Sequence, residues 1–288
     1  MLRSVIVIWL PLTACAPHSP APAPPPPVRS PSQTAAGSPE LSPALAPLAW
    51  WLGDWVARDG QGSEHWVAAA GAIYGVALHG DRFEVLVVDD GDGPGRPDGV
   101  LRLFAMPDGA RSAEFRQRQI ADGTATFADD TRDFPRTITY ALTDDRAGLT
   151  AVLDGTRRLE FQFTRGHRAP APELEAADLA FAAATAERGV DGWVAAFDPH
   201  GGMMRRSGRI EYAAIAEAMA PTLTSGRLAW APIASGRTGE LGFTVGKATF
   251  TAARAEDSWR STYATIWRRQ PDASWKVLFD TGRIVQDL

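Results

Sequence analysis

The chain has 288 residues, enough for about two domains of ordinary size. Its composition, 45% hydrophobic and 22% charged, is that of a globular protein and excludes both wholesale disorder and a polytopic membrane protein. A formal net charge of −5 argues against a nucleic-acid partner, because phosphate binding needs a positive excess on some face, and a single cysteine excludes an intramolecular disulfide.

In chain order, the first element is a short basic start, Met1-Leu2-Arg3, followed by an apolar run from Val5 to Leu12 and then Leu12-Thr13-Ala14-Cys15. The run is shorter than the roughly 20 residues of a membrane helix and fits the roughly 7 to 15 of a secretory signal. Leu12 to Cys15 resembles the lipobox of bacterial lipoproteins. The resemblance implies a signal peptide over 1–14, cleavage before Cys15 and lipidation of its thiol, so that acyl chains rather than a helix reach the membrane. It also implies a place in the bacterial cell envelope. In a Gram-negative cell, Ala16 after the Cys favours the outer membrane, facing the periplasm. Residues 15–48 are then the lipidated Cys and a tether. Eleven of the 22 prolines lie between Ala16 and Leu48, and such sequence favours extended polyproline II geometry.

From 49 to 166 short alternating runs are separated by turns. Strands are predicted over Asp54 to Arg58, Ser63 to Val67, Ile73 to His79, Arg82 to Val88, Val100 to Ala105, Ala113 to Arg118, Thr124 to Ala128, Arg136 to Leu142, Leu149 to Leu153 and Arg158 to Thr164. Many short strands with regular turns and no amphipathic helix between them point to an antiparallel meander closed as a barrel. Asp89-Asp90-Gly91-Asp92-Gly93 lacks the spacing and the bidentate Glu of a calcium loop, so it reads as a solvated turn. Trp55 and Trp66 are expected in the barrel core. Glu64 shares a strand face with Trp66 and is expected either in the lumen, paired with Arg132 or Arg136 as a ligand-binding group, or on the outer face.

The stretch Leu48-Ala49-Trp50-Trp51-Leu52-Gly53-Asp54-Trp55, with Glu64-His65-Trp66, Gly71-Ala72-Ile73-Tyr74-Gly75 and Asp133-Phe134-Pro135-Arg136, resembles a calycin-like, lipocalin-like bacterial family of unknown function. The resemblance implies a barrel with a small internal cavity. Arg132 stands where that pattern has a His, so no metal or acid–base role comes with it.

From 167 to 288 the period becomes helical. Leu174, Leu179, Phe181 and Ala182 mark one helix, Val190, Trp193, Val194 and Phe197 a second after Gly189, and Glu211 to Met219 a third. Strands follow over Arg227 to Ile233, Leu241 to Thr251, Trp259 to Arg269 and Ser274 to Asp280. The whole chain is thus expected to be mixed: an all-β antiparallel barrel followed by an α+β domain of three helices on a curved antiparallel sheet. Ala180-Phe181-Ala182-Ala183-Ala184, Arg188-Gly189-Val190-Asp191-Gly192-Trp193, Leu241-Gly242-Phe243-Thr244-Val245-Gly246 and Tyr263 to Gln270 resemble the SnoaL-like, nuclear-transport-factor-like cone family. That resemblance implies a cone-shaped pocket, and a sheet through which a homodimer could form.

The region Met203 to Gly208 offers Arg where a steroid isomerase of that fold has its Asp base. The remaining catalytic candidates are Asp198, Tyr263 and Asp280, each with a structural alternative. Trp193, Phe197, Tyr263, Trp267 and Asp280 are the expected ligand-binding residues of the cone, and Glu64 and Arg136 those of the barrel. The five His residues show no metal-ligand spacing, and no cofactor is expected. Binding of a small, partly apolar molecule is the leading expectation. Isomerase-, dehydratase- or cyclase-type chemistry in the cone and a dimerising scaffold are the alternatives.

Overall fold

Ten short strands wrap into a closed antiparallel barrel in a computed structural model that describes residues 41–91, 97–110, 112–205 and 207–287. The strands are β1 (Gly53–Ala57), β2 (Ser63–Ala69), β3 (Ala72–His79), β4 (Arg82–Gly91), β5 (Pro97–Pro107), β6 (Ala113–Ala121), β7 (Thr124–Ala128), β8 (Thr137–Leu142), β9 (Gly148–Asp154) and β10 (Arg158–Arg165). Each pairs with its neighbour in sequence, and β10 returns to β1 with Trp55 opposite Arg165. Closure removes the sheet edges that an open meander would leave. The signal peptide, Cys15 and the Pro-rich stretch up to residue 40 lie outside the described residues, as do Asp92 and Gly93 of the acidic turn. Among the described residues no helix is long and apolar enough to cross a membrane, which says nothing of strands.

The tether expected to run to residue 48 stops sooner. A 3₁₀ helix, Ala46–Trp51, carries Leu48 and Trp51 into the barrel core together with Leu45, all three fully buried. The compact unit begins at Glu40 and runs to the C-terminus, so barrel and cone are parts of one body.

The second part has the order α1 (Pro172–Arg188), α2 (Val190–Ala195), β11 (Phe197–Arg205), β12 (Gly208–Glu211), α3 (Ile215–Ser225), β13 (Gly226–Thr238), β14 (Leu241–Ala252), β15 (Trp259–Arg269) and β16 (Trp275–Asp287). Its six-stranded sheet runs β12-β11-β16-β15-β14-β13. The expected wholly antiparallel sheet is corrected by β11, which pairs parallel with β16. Pro199 and Gly201-Gly202 conceal this strand in the sequence, and its register shifts between Phe197 and Gly202. The helix expected from Glu211 starts at Ile215, since Glu211 pairs with Gly202 at the end of β12.

The outer face of the six-stranded sheet, expected to be available to a second copy, is covered by the barrel of the same chain. Tyr74, Val76, Val85 and Val87 on the outside of β3 and β4 form one core with Phe243, Val245, Ala264, Ile266 and Phe279. The apolar surface of this face is thus buried within the chain. Polar bonds fix the register of the seam. Tyr74 Oη donates to the Thr262 carbonyl at 2.9 Å, Arg209 Nη1 donates to the Gly109 carbonyl at 2.7 Å, and Arg283 pairs with Asp89 at 3.1 Å while lying over the Phe104 ring at 3.7 Å. At the opposite side of the seam Asp54 accepts the Arg168 backbone N–H at 3.0 Å and holds the connection into α1.

A shared core implies shared unfolding. Phe279 is fully buried in the seam, so Phe279→Ala is expected to cost about 3–5 kcal/mol. Calorimetry should show one transition for residues 41–288 in both proteins, shifted down in the variant. Separate barrel and cone transitions in the wild type would contradict the shared core.

Candidate functional site

The barrel lumen is filled by aromatic rings. Trp51 packs 4.1 Å from Trp66 and 4.3 Å from Tyr140, centroid to centroid, and Trp55 Nε1 donates to the Trp51 carbonyl at 3.0 Å. The Trp66 indole lies over Gly75, its register partner on β3, where an added Cβ would lie 2.7 Å from the indole carbons, so no larger residue fits there. Glu64 does face inward, but its partners are not the expected arginines. Trp66 Nε1 donates to it at 3.0 Å and Tyr140 Oη at 3.3 Å. Arg132 pairs with Asp129 at 2.7 Å, and Arg136 is exposed, donating to the Arg132 carbonyl at 3.3 Å. Arg136 is thus no lumenal ligand-binding group, because it precedes β8 and points to solvent. Burial drives the Glu64 carboxyl up to about 7, against the pull of the two hydrogen bonds.

The open space lies in the second part, between the concave face of the sheet and the helices. A cavity of about 940 Å³ is walled by Phe181 of α1, Trp193 of α2, Met219 of α3, Trp230 of β13 and Tyr263 of β15. Phe181 stands at the centre of this aromatic wall, 4.7 Å from Trp193 and 4.8 Å from Trp230. Helix α1 aims Leu174, Asp178, Phe181 and Thr185 at the sheet, a spacing of four, three and four that places them on one face. Leu179, expected on that face, is 50% exposed.

Asp178 is the polar centre that the sequence reading missed, although its place in the apolar stripe is the signal that could have marked it. It is fully buried, accepting Trp230 Nε1 at 2.7 Å and Tyr263 Oη at 2.8 Å. Thr244 also donates to it and in turn accepts Trp267 Nε1 at 2.9 Å. Burial raises the Asp178 carboxyl above the ordinary range, and the hydrogen bonds from Thr244, Trp230 and Tyr263 offset only part of that. Burial, then the Asp178 charge, drives the Tyr263 hydroxyl far up. Its proton is engaged by Asp178 and is not offered to the cavity.

Asp280 forms the second polar group. Its Oδ1 accepts Thr265 Oγ1 at 3.1 Å, and its Oδ2 accepts both Nη1 and Nη2 of Arg205 at 3.2 Å. Arg205, on β11, keeps 30% of its side chain accessible; Nη1 also donates to the Met204 carbonyl at 3.2 Å, and Nη2 meets the Met203 and Met219 sulfurs at 3.4 and 3.8 Å. Thioethers are weak acceptors, so a ligand oxygen would be the better partner. Trp193 Nε1 is buried in the cavity wall with no hydrogen-bond partner among the described residues.

The structure places Trp193, Tyr263 and Asp280 on the cavity wall. Phe197 and Trp267 are corrected to a supporting layer: Phe197 lies 6.1 Å from Phe181, and Trp267, 1% exposed, is bound to Thr244. Asp198 is corrected to a structural role, accepting the His200 backbone N–H at 2.8 Å and Gln270 Nε2 at 3.1 Å away from the cavity wall. Among the described residues no group of three or more His, Cys, Asp or Glu side chains could hold a metal.

The barrel also reaches this cavity. Strand β11 covers β16 only as far as Thr281, leaving the following residues of β16 as a free edge. The cavity wraps that edge at Gly282 to Val285 and continues to Asp89, Arg102, Phe104 and Arg116 on the barrel. Burial pushes Asp89 up to about 6 despite the opposing charges of Arg283 and Arg102.

No family model matches the chain, and no curated protein matches it. Solved structures similar to part of it include a ketosteroid isomerase-like protein from Erwinia carotovora atroseptica SCRI1043, 16% identical over 40% of this chain and 95% of that one, with a TM-score of 0.36. An NTF-2-like protein of unknown function from Shewanella oneidensis MR-1 is 10% identical over 38% and 96%, TM-score 0.34. An NTF2-like protein of unknown function from Pseudomonas putida KT2440 is 11% identical over 40% and 89%, TM-score 0.35.

The lumenal carboxyl gives a pH test. Glu64 binds its proton more tightly folded, at about 7, than at the ordinary value of 4.5. Its contribution therefore favours folding at low pH, declines as pH rises from 4.5 to 7, and stays constant above that. Relative to wild type, Glu64→Gln should gain stability of order 3 kcal/mol between pH 4.5 and pH 8. Urea denaturation at the two pH values measures it, and an unchanged difference would refute a protonated lumenal carboxyl.

Proposed function

We propose that the chain is an envelope-anchored lipoprotein, held through Cys15, whose cone-shaped cavity binds a small, partly apolar molecule bearing an acceptor oxygen. The observation that carries this reading is the contrast between the two interiors. The core of the calycin-like barrel is packed with Trp51, Trp55, Trp66 and Tyr140, whereas a cavity of about 940 Å³ opens along the aromatic wall of the SnoaL-like cone and continues past β16 to the barrel, with Arg205 partly accessible in it. That size is that of small-molecule sites, and the lining joins the aromatic wall to charged groups, Arg205 and Asp280 of the cone and Asp89, Arg102, Glu114 and Arg116 of the barrel.

The ligand's apolar body would lie against Phe181, Trp193 and Trp230, and its oxygen would take Arg205 in place of the methionine sulfurs. The polar groups favour binding over acid–base catalysis. Tyr263 donates its hydrogen bond to Asp178 and Asp280 is held by Arg205 and Thr265, so neither is left to move a proton on a substrate. The sorting part of the proposal rests on the lipobox-like Leu12 to Cys15 alone.

Two measurements test it. Titration of the chain lacking residues 1–14 and its lipid with 1-anilinonaphthalene-8-sulfonate, an apolar probe with an anionic oxygen group, should quench tryptophan fluorescence. Arg205→Gln should weaken binding by about tenfold or more, the loss of a charge-assisted hydrogen bond. Met219→Trp should block the cavity and abolish binding in a folded protein. Equal affinity in all three proteins would place the probe elsewhere and overturn the reading. Mass spectrometry of membrane-extracted protein should find diacylglyceryl on Cys15, and an unmodified or absent Cys15 would remove the anchor.

A further inference from the structure

The outer face of the β1–β2 ladder carries a polar cluster that the cone cavity does not use. Asp54 stands opposite His65 in the ladder, and Ser63, two residues before His65, shares its face. His65 Nδ1 lies 2.9 Å from Asp54 Oδ1, and His65 Nε2 lies 3.0 Å from Ser63 Oγ. The inward-facing alternates on the same strand are Glu64 and Trp66, so the strand period alone separates the two clusters.

The direction of each hydrogen bond follows from what each atom can do. The Asp54 carboxylate only accepts, so His65 Nδ1 carries hydrogen and donates to it. With hydrogen on Nδ1 alone, Nε2 presents a lone pair and the Ser63 hydroxyl donates there. Asp54 is kept ionised: burial works against its charge, but the His65 hydrogen bond and the Arg168 charge and backbone N–H together hold its carboxyl below the ordinary value. The ring is clamped as well. His65 is 7% exposed and lies 5.0 Å from the Phe243 ring, while Arg168 lies over the other part of Phe243 at 5.6 Å and pairs with Asp54 at 3.5 Å. Ser63 by contrast stays partly open to solvent, facing Val56, which is 40% exposed, across the ladder.

A hydroxyl hydrogen-bonded to a histidine base that a carboxylate orients is the arrangement that makes serine a nucleophile. We propose that Ser63 and His65, with Asp54 as positioning residue, form an acyl-transfer site for small esters of short apolar acids. Ser63 Oγ attacks the ester carbonyl carbon and forms the C–Oγ bond, the carbonyl electron pair moves to its oxygen, and the Oγ proton passes to His65 Nε2. Collapse breaks the bond to the leaving oxygen, which takes the Nε2 proton and departs as an alcohol. Water then attacks the acyl-serine, giving its proton to Nε2. The acyl–Oγ bond breaks, Ser63 recovers the proton, and the carboxylic acid leaves. Ester and water are consumed and nothing is oxidised. Val56 offers the apolar ground for the acyl group, and the Arg168 guanidinium, paired with Asp54 at 3.5 Å, helps keep the positioning carboxylate ionised.

The test is covalent. The full chain is treated with an alkyl fluorophosphonate, which loses fluoride to an activated serine, and the adduct is mapped by mass spectrometry. Ser63 should be labelled in preference to every other serine, and labelling should vanish in urea and in Ser63→Ala. His65→Gln should slow it about 10²-fold or more, the usual contribution of a general base. Asp54→Asn should lower the maximal labelling rate about tenfold with the half-saturating reagent concentration unchanged, a split that simple loosening of the seam would not produce. p-Nitrophenyl acetate should give a burst of one nitrophenol per chain. Absence of a Ser63 adduct in the folded wild type, or an adduct formed as fast in His65→Gln, would show that the trio only holds the seam together and would overturn the proposal.

Discussion

The rest of the molecule depends on one pair of strands being apolar on both sides. On the inside, Ile73 of β3 and Leu86 and Val88 of β4 face the barrel core; on the outside, Tyr74, Val76, Val85 and Val87 face the sheet of the cone. One wall therefore serves two cores, and burial on both faces is what an uninterrupted apolar strand is for. Without that wall the cone would expose Phe243, Val245, Ile266 and Phe279 on a flat sheet, a patch that a monomeric soluble protein rarely leaves open. Dispersion and hydrophobic burial supply the bulk of the attraction. Tyr74, Arg209 and Arg283 contribute direction, fixing which residue meets which.

The two interiors differ because of what their largest side chains do. In the barrel, indole rings cross the lumen and find partners there, leaving little room beside them. In the cone, the indole and phenol groups of Trp230 and Tyr263 are drawn outward to Asp178 behind the wall, so the rings line a space instead of filling it. A single buried carboxylate on α1 thus keeps a cavity open. Its burial is costly alone and tolerable here because Thr244, Trp230 and Tyr263 all give it hydrogen bonds.

Much of the fold was legible in the residues. All ten barrel strands follow from alternation and turns, because each is short, local and joined to its neighbour by a turn. Strand β11 was not legible, since Pro199 and two consecutive glycines interrupt its pattern and its partner β16 lies about 80 residues away. The shared wall was written in the sequence but reads differently once its meaning is known. Val85-Leu86-Val87-Val88 is a continuous apolar run, unlike the alternating Ala113 to Arg116 of β6, and continuity signals a strand covered twice. At the site, Trp193, Tyr263 and Asp280 could be picked out as large or ionisable groups on elements facing a pocket. Asp178 could not be separated from a solvated helical carboxylate without the register that Leu174, Phe181 and Thr185 supply. Glu64 was placed near arginines by charge complementarity, whereas its lumenal neighbours donate from neutral rings.

The short connection between barrel and cone, pinned where Arg168 meets Asp54 and where the Ala171 backbone N–H donates to Ser235 Oγ at 3.0 Å, turns what could have been an encounter between two molecules into an internal one. The cone's sheet meets its partner at the effective concentration set by a few residues of chain, irrespective of how dilute the protein is. The internal pairing is therefore favoured over pairing with another copy. Every cone carries the same barrel residues, Asp89, Arg102 and Arg116, along the free edge of β16. The mouth of the cavity is in this sense inherited with the chain, and selection can alter it by mutating the barrel without touching a residue of the cone.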